Sequence, residues 1–196
     1  MNIIVQTYDG QVQCRPDTSW EREDKTLYAP NFVSGYGYAP VLFARICKAG
    51  KCIGGKFAGR YYDAVNYGLL LYAAIQAGPD GNTMPAGYST VMDHTSVLPF
   101  PMYDKVTLES GENRFSAGLT CKAGRKEEIY STTEGSCRMI ESAIENVSRF
   151  VSVRIGDIVA VELAPVGQLM TRERNPECRI SGTFCGNSLF DFDIIM

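Results

Sequence analysis

Residues 50–57 read Gly-Lys-Cys-Ile-Gly-Gly-Lys-Phe. A glycine, four residues and then Gly-Lys is the spacing of a phosphate-binding loop. There the backbone amides cradle phosphate, the lysine reaches the terminal phosphates and a following Ser or Thr hydroxyl holds Mg2+. Phe57 stands where that hydroxyl is needed. No apolar strand ending in aspartate stands out as the second nucleotide motif. Gly50-Lys51 is also ordinary hairpin-turn chemistry, so the pattern reads as incidental. The basic cluster Lys48, Lys51, Lys56 and Arg60 then reads as a solvated turn face.

Three other residues could do chemistry. His94 is the single histidine and follows Asp93 directly. Sequence neighbours do not easily form a triad, because its members converge from different directions. One histidine also rules out multi-histidine zinc sites. Glu162 is a charge within the apolar run "VAVELAP", where burial is costly unless the carboxylate is paired. It is read as exposed, paired or functional. Asp93, His94 and Glu162 are the candidate catalytic residues, each with a plain structural reading beside it.

The elements that must position them are β-rich. The chain has 196 residues, enough for one domain, expected to span residues 1–196. A net charge of -3 gives no global field for nucleic acid, so no nucleic-acid partner is expected. No apolar run approaches the roughly 20 residues of a membrane span. The start, "MNIIVQTYDG", reads as a strand and not a leader. Seven scattered cysteines without C-x-x-C read as reduced thiols in a cytoplasmic protein, although Cys47 and Cys52 could meet across a hairpin.

"IIVQT" and "QVQCR" bracket a Tyr8-Asp9-Gly10 turn, a hairpin signal. "APVLFARIC" and "YGLLLYAAI" read as buried strands. "FAGRYYDAVN" predicts a short helix with Phe57, Tyr61 and Val65 on one face. Residues 76–89 read as a glycine- and proline-rich loop. "DKVTLESG", "NRFSAGLTCKAG", "KEEIYST" and "GDIVAVELAP" predict further strands. The long helix lies in "TTEGSCRMIESAIENVSRFV", capped by Thr132 or Thr133, with an apolar face from Met139 to Phe150. "SLFDFDIIM" alternates as a strand. The sum is α+β: about ten strands in mostly antiparallel sheet, one long helix and one short helix.

Several stretches in one order resemble the fumarylacetoacetate hydrolase family in its short single-domain bacterial form. "NVSRFVSVRIGDIVAVELAP" is similar to the family's "YVSKFFTLKxGDLIxTGTP". "FAGRYYDAVNYGLLLYA" is similar to "FAHRYYDAVxxGIDFTAR". "CRPDTSW" with "DKTLYAPNF" resembles "KPDSAL…GKPFxLPDF", "VMDHTSVLP" resembles "GFDGSAPI", and "GNSLFDFDI" resembles the closing strand. The resemblance covers almost the whole chain.

It implies a mixed β-rich roll or sandwich of the family's C-terminal domain type, usually a homodimer. Its members are hydrolases, decarboxylases or isomerases of 2-oxo and 1,3-dicarbonyl acids. They use Mg2+ or Mn2+ held by two glutamates and an aspartate. The glutamate positions fall here on Ala39 and Val41, and the aspartate on Leu70. The family's lysine falls near Thr90, its "TGTP" on "VELAP", and no histidine precedes His94. Only Asp93 is kept.

The departures fall on the chemistry while the scaffold matches persist. The expectation is therefore a non-catalytic paralogue without a cofactor. It would be a binding or assembly subunit, a homodimer or the partner of an active paralogue. A second expectation is a rebuilt acid–base site of Glu162, Asp93 and His94. A third is a small-molecule pocket lined by Ala39, Val41, Leu70, Tyr72 and Thr90.

Overall fold

The computed structural model describes residues 1–75, 86–110, 113–121 and 124–196. Most of the loop expected at 76–89 thus lies outside the described residues. The strands in chain order are β1 (Asn2–Gln6), β2 (Val12–Pro16), β3 (Trp20–Glu21), β4 (Leu27–Tyr28) and β5 (Val33–Ile46). After the short helix α1 (Gly55–Ala58) come β6 (Tyr62–Ile75), β7 (Ser96–Val97), β8 (Tyr103–Asp104), β9 (Phe115–Cys121) and β10 (Lys126–Thr132). Helix α2 (Cys137–Phe150) precedes β11 (Ile158–Glu162), β12 (Gly167–Thr171), β13 (Glu177–Phe184) and β14 (Asn187–Ile195).

The strands form two sheets. The nine-stranded one runs β2-β1-β11-β5-β6-β7-β3, with β12 also on β5 and β8 also on β6. The five-stranded one runs β10-β9-β13-β14-β4. Pairing is antiparallel except at β1–β11, β3–β7 and β4–β14. The mixed, mostly antiparallel architecture expected from the sequence is therefore present. No described helix is long and apolar enough to cross a membrane.

The hairpin β1–β2 forms about the predicted turn, where Gly10 takes φ +84 and closes back on Thr7. That left-handed conformation favours glycine. Strand β14 keeps its alternation: Phe190, Phe192 and Ile194 are buried in the core. Helix α2 buries Ile140, Ala143, Ile144, Val147 and Ser148, one stripe at helical spacing, and packs on β11 and β1.

Four local expectations are corrected. The short helix covers only Gly55–Ala58, and Tyr62 onward is strand. Phe57 is exposed while Val65 is buried, so the supposed helical face does not exist. Pairing of β6 along the whole of β5 overrides a weak local helix pattern. Residues Lys105–Glu109 form a 3-10 turn capped by Asp104 instead of a strand. Phe150 is exposed at the helix end.

The long helix is capped by Ser136, whose Oγ accepts from the Met139 amide, and not by Thr132 or Thr133. Ser136→Ala is therefore expected to lower stability by about 1 kcal/mol. Thr133→Ala should leave it nearly unchanged. Paired urea unfolding curves check both.

The phosphate-loop reading also fails on geometry. Gly50 sits in an isolated bridge with Val153, and Lys56 lies over the Phe57 ring at 4.9 Å. Lys51 donates to the Phe150 carbonyl at 2.7 Å. The basic cluster is a turn face, as its composition suggests.

Candidate functional site

Strands β5 and β6 lie mid-sheet and set the relevant positions side by side. Ala39 is opposite Leu70, Val41 is opposite Gly68, and Glu162 on β11 is opposite Val41. Side chains alternate along each strand, so Ala39, Val41, Leu70, Tyr72 and Glu162 share one face. Gly68 is required there. A Cβ would lie 2.3 Å from the Val97 carbonyl, which β7 brings across.

The centre of this face is solid. Ile3, Val5, Val41, Phe43, Leu70, Leu98, Ile158 and Ala160 form one buried apolar cluster, with Trp20, Tyr72 and Met102 at its margin. Ala39, Val41 and Leu70 have 0% exposure. The expected pocket of Ala39, Val41, Leu70, Tyr72 and Thr90 is thus mainly core. Thr90 is buried elsewhere, donating to the Gly87 carbonyl at 2.9 Å. Of the five, Tyr72 reaches a cavity.

These residues do not fit a metal centre. Mg2+ and Mn2+ take oxygen ligands, which Ala, Val and Leu side chains lack. Among the described residues, no group of three His, Cys, Asp or Glu is placed to hold a metal ion.

Polar chemistry begins at the edge of the apolar cluster. Glu162 is only 6% exposed and fully engaged. One carboxylate oxygen accepts a short hydrogen bond from the Tyr72 hydroxyl, and the other accepts from the Tyr8 amide at 2.8 Å. Arg15, from β2, is 1% exposed and its guanidinium carbon lies 4.5 Å from the Tyr72 ring centre. Its two terminal nitrogens each donate to the Leu71 carbonyl at 3.1 Å, and one also reaches Thr95 and Ser96. Tyr72 therefore bridges a buried cation and a buried anion.

The electrostatics follow from that burial. The Tyr72 hydroxyl is pushed up to about 12, first by desolvation and then by Glu162, with Arg15 opposing. At neutral pH it is a hydrogen-bond donor and not a base. Burial pulls the Arg15 guanidinium down, and Tyr72 and Glu162 hold it up.

Beside this chain of charges lies a cavity of about 370 Å3, lined by Thr7, Tyr8, Asp9, Gln13, Tyr72 and Glu162, among others. The Gln13 side-chain oxygen is buried with no hydrogen-bond partner among the described residues. Sequence reading missed Arg15, Gln13 and Tyr8. The one available signal was the hairpin register, which sets Gln13 opposite Val5 and Arg15 opposite Ile3, two core residues.

Asp93 and His94 line a different and larger cavity of about 790 Å3, with Tyr28, Phe32, Tyr88 and Val91 at its rim. His94 has φ +59, and its Nδ1 lies 2.8 Å from the carboxylate of Glu21, which is buried. The structure thus brings Asp93 and His94 together, as sequence adjacency requires. Glu162 engages other partners on another cavity.

By sequence, no protein family and no curated protein matches the chain. By structure it is similar to fumarylpyruvate hydrolase from Pseudomonas aeruginosa, solved with Mn2+ and pyruvate. The two are 16% identical, with 100% of this chain and 88% of that one covered at a TM-score of 0.69. It is also similar to 5-carboxymethyl-2-hydroxymuconate delta-isomerase from Mycobacterium smegmatis, at 14% identity, coverages of 99% and 78% and a TM-score of 0.67. A third match is a protein from Yersinia pestis CO92 described under the fumarylacetoacetate hydrolase family, at 16% identity, coverages of 99% and 92% and a TM-score of 0.68. At such identities the likeness concerns the backbone, and the chain has the fold of the fumarylacetoacetate hydrolase superfamily.

Proposed function

We propose that this chain is a non-catalytic member of the fumarylacetoacetate hydrolase superfamily, of its C-terminal domain type, that acts by binding. The observation that carries this reading is the closed apolar cluster at Val41 and Leu70. The resemblance puts metal-holding carboxylates at Ala39, Val41 and Leu70, and all three are wholly buried aliphatic side chains. An apolar site also lacks the preorganised charge that stabilises an enolate.

The ligand side of the proposal rests on the cavity at Glu162, Tyr72 and Gln13. Its unpartnered Gln13 oxygen favours a small ligand carrying an N–H or O–H donor. The partner side rests on exposed aromatic surface. Tyr28, Phe32 and Tyr88 are 70%, 53% and 49% exposed around the larger cavity, and such surface suits self-association or pairing with an active paralogue. A metal-free acid–base enzyme of Glu162, Asp93 and His94 has less support, because those groups face two cavities.

The test is direct. The purified chain is dialysed against Mn2+ and against Mg2+, bound metal is measured, and acylpyruvate cleavage is followed by absorbance. The expected result is no stoichiometric metal and no turnover. One metal ion per chain together with turnover overturns the reading.

A further inference from the structure

We propose that Cys121 and Cys178 are a redox-active pair, oxidised to a cross-strand disulfide by a small-molecule disulfide such as oxidised glutathione. The two residues are 57 apart in sequence, and their sulfurs lie 3.1 Å from each other. Both are free thiols in this structure. They sit directly opposite on the antiparallel strands β9 and β13. Opposed residues of such a pair have Cα atoms about 4.5–5.5 Å apart, within the range disulfides span. Closing the bond requires the sulfurs to approach by about 1 Å, a side-chain rotation that leaves the sheet register in place.

The order of events follows from exposure. Cys178 is 2% exposed, and burial with the neighbouring Cys121 thiol pushes its thiol up to about 12. Cys121 is partly exposed and meets the oxidant first. Its thiolate attacks one sulfur of the small disulfide, forms a mixed disulfide and releases one small thiolate. Cys178 then loses its proton and attacks the Cys121 sulfur, releasing the second small thiol. Two protein thiols are oxidised, and one small disulfide is reduced to two thiols. Of the other five cysteines, Cys14, Cys47, Cys52 and Cys185 are exposed, and the Cys137 sulfur faces the Lys105 carbonyl. The hairpin pair considered from sequence, Cys47 and Cys52, is not joined by a disulfide.

The native chain is incubated with oxidised glutathione, unfolded in the presence of an alkylating reagent, digested and mapped by mass spectrometry. The expected result is a peptide linking Cys121 to Cys178, and a loss of two of the seven alkylatable thiols. Dithiothreitol should restore both, and the oxidised chain should unfold at higher urea than the reduced one. Cys178→Ser should leave glutathione trapped on Cys121. If that variant fails to fold, mapping of the unaltered chain stands alone. Recovery of both residues as alkylated thiols, with glutathione only on the exposed cysteines, overturns the proposal.

Discussion

Leu70→Asp is expected to abolish the cooperative fold instead of recreating a metal ligand. Leu70 has 0% exposure on β6, opposite Ala39 and Ser96, within the cluster that holds Val5, Val41 and Phe43. Losing the leucine contacts alone costs about 2–5 kcal/mol. A carboxylate taken out of water among aliphatic side chains adds several kcal/mol. Together these rival the roughly 5–15 kcal/mol that holds a typical domain together.

Trp20 is the only tryptophan and lies at the margin of this cluster, so its fluorescence reports the change. Leu70→Ala, which leaves a cavity but no charge, should keep a cooperative urea transition at a lower midpoint. The pH dependence has a definite sign. Burial would hold the new carboxyl above its ordinary range, so any residual fold should strengthen in mild acid. It should weaken as pH rises through that raised value. A Leu70→Asp chain as stable as the parent, and binding Mn2+, would show that the site had stayed open.

Arg15→Met should destabilise the chain by about 3–5 kcal/mol, the usual cost of removing one partner from a buried charge network. Methionine approximates the length of the side chain, so packing is largely kept and the loss is chiefly polar. The Leu71 carbonyl loses both of its guanidinium donors. Thr95 and Ser96 keep other partners, Met92 and Ser19. Glu162 would then lose its electrostatic interaction with the Arg15 guanidinium.

Glu162→Gln should cost much less, about 1 kcal/mol, because an amide oxygen still accepts from Tyr8 or Tyr72. Urea unfolding of the two single variants and of the double variant tests the coupling. If the effects simply add, Arg15 and Glu162 do not act through Tyr72. A double variant more stable than the sum shows that they do.

Elements with a strong local signal are legible in the residues themselves. The β1–β2 hairpin follows from its turn residues, β14 from strict alternation, and α2 from an apolar stripe sustained over four turns. That positions 39, 41 and 70 carry aliphatic side chains without oxygen donors is evident from residue identity alone. Glu162 also stands out, because a charge inside an apolar strand must find a partner. Which partner it finds is a tertiary fact.

The misread segments have weaker signals. Residues 57–66 carry both a helical and a strand pattern. Fourteen residues of β5 wait alongside to pair with the strand version. The "DKVTLESG" stretch mixes apolar and polar residues as a strand does, but Leu108 is buried while Val106 is 60% exposed. The Asp104 cap and a 3-10 turn satisfy its backbone instead.

Residue identity and short-range pattern thus suffice for a β-rich chain with an amphipathic helix and an aliphatic face at positions 39, 41 and 70. Those properties belong to single residues or to short periodic runs, where burial of apolar side chains outweighs local alternatives. Three others arise only in the tertiary structure: the face is packed shut, Arg15 and Glu162 meet through Tyr72, and Cys121 faces Cys178. Each depends on strands far apart in sequence coming into register. Register is set by the burial of whole sheet faces and not by the residues that end up in contact.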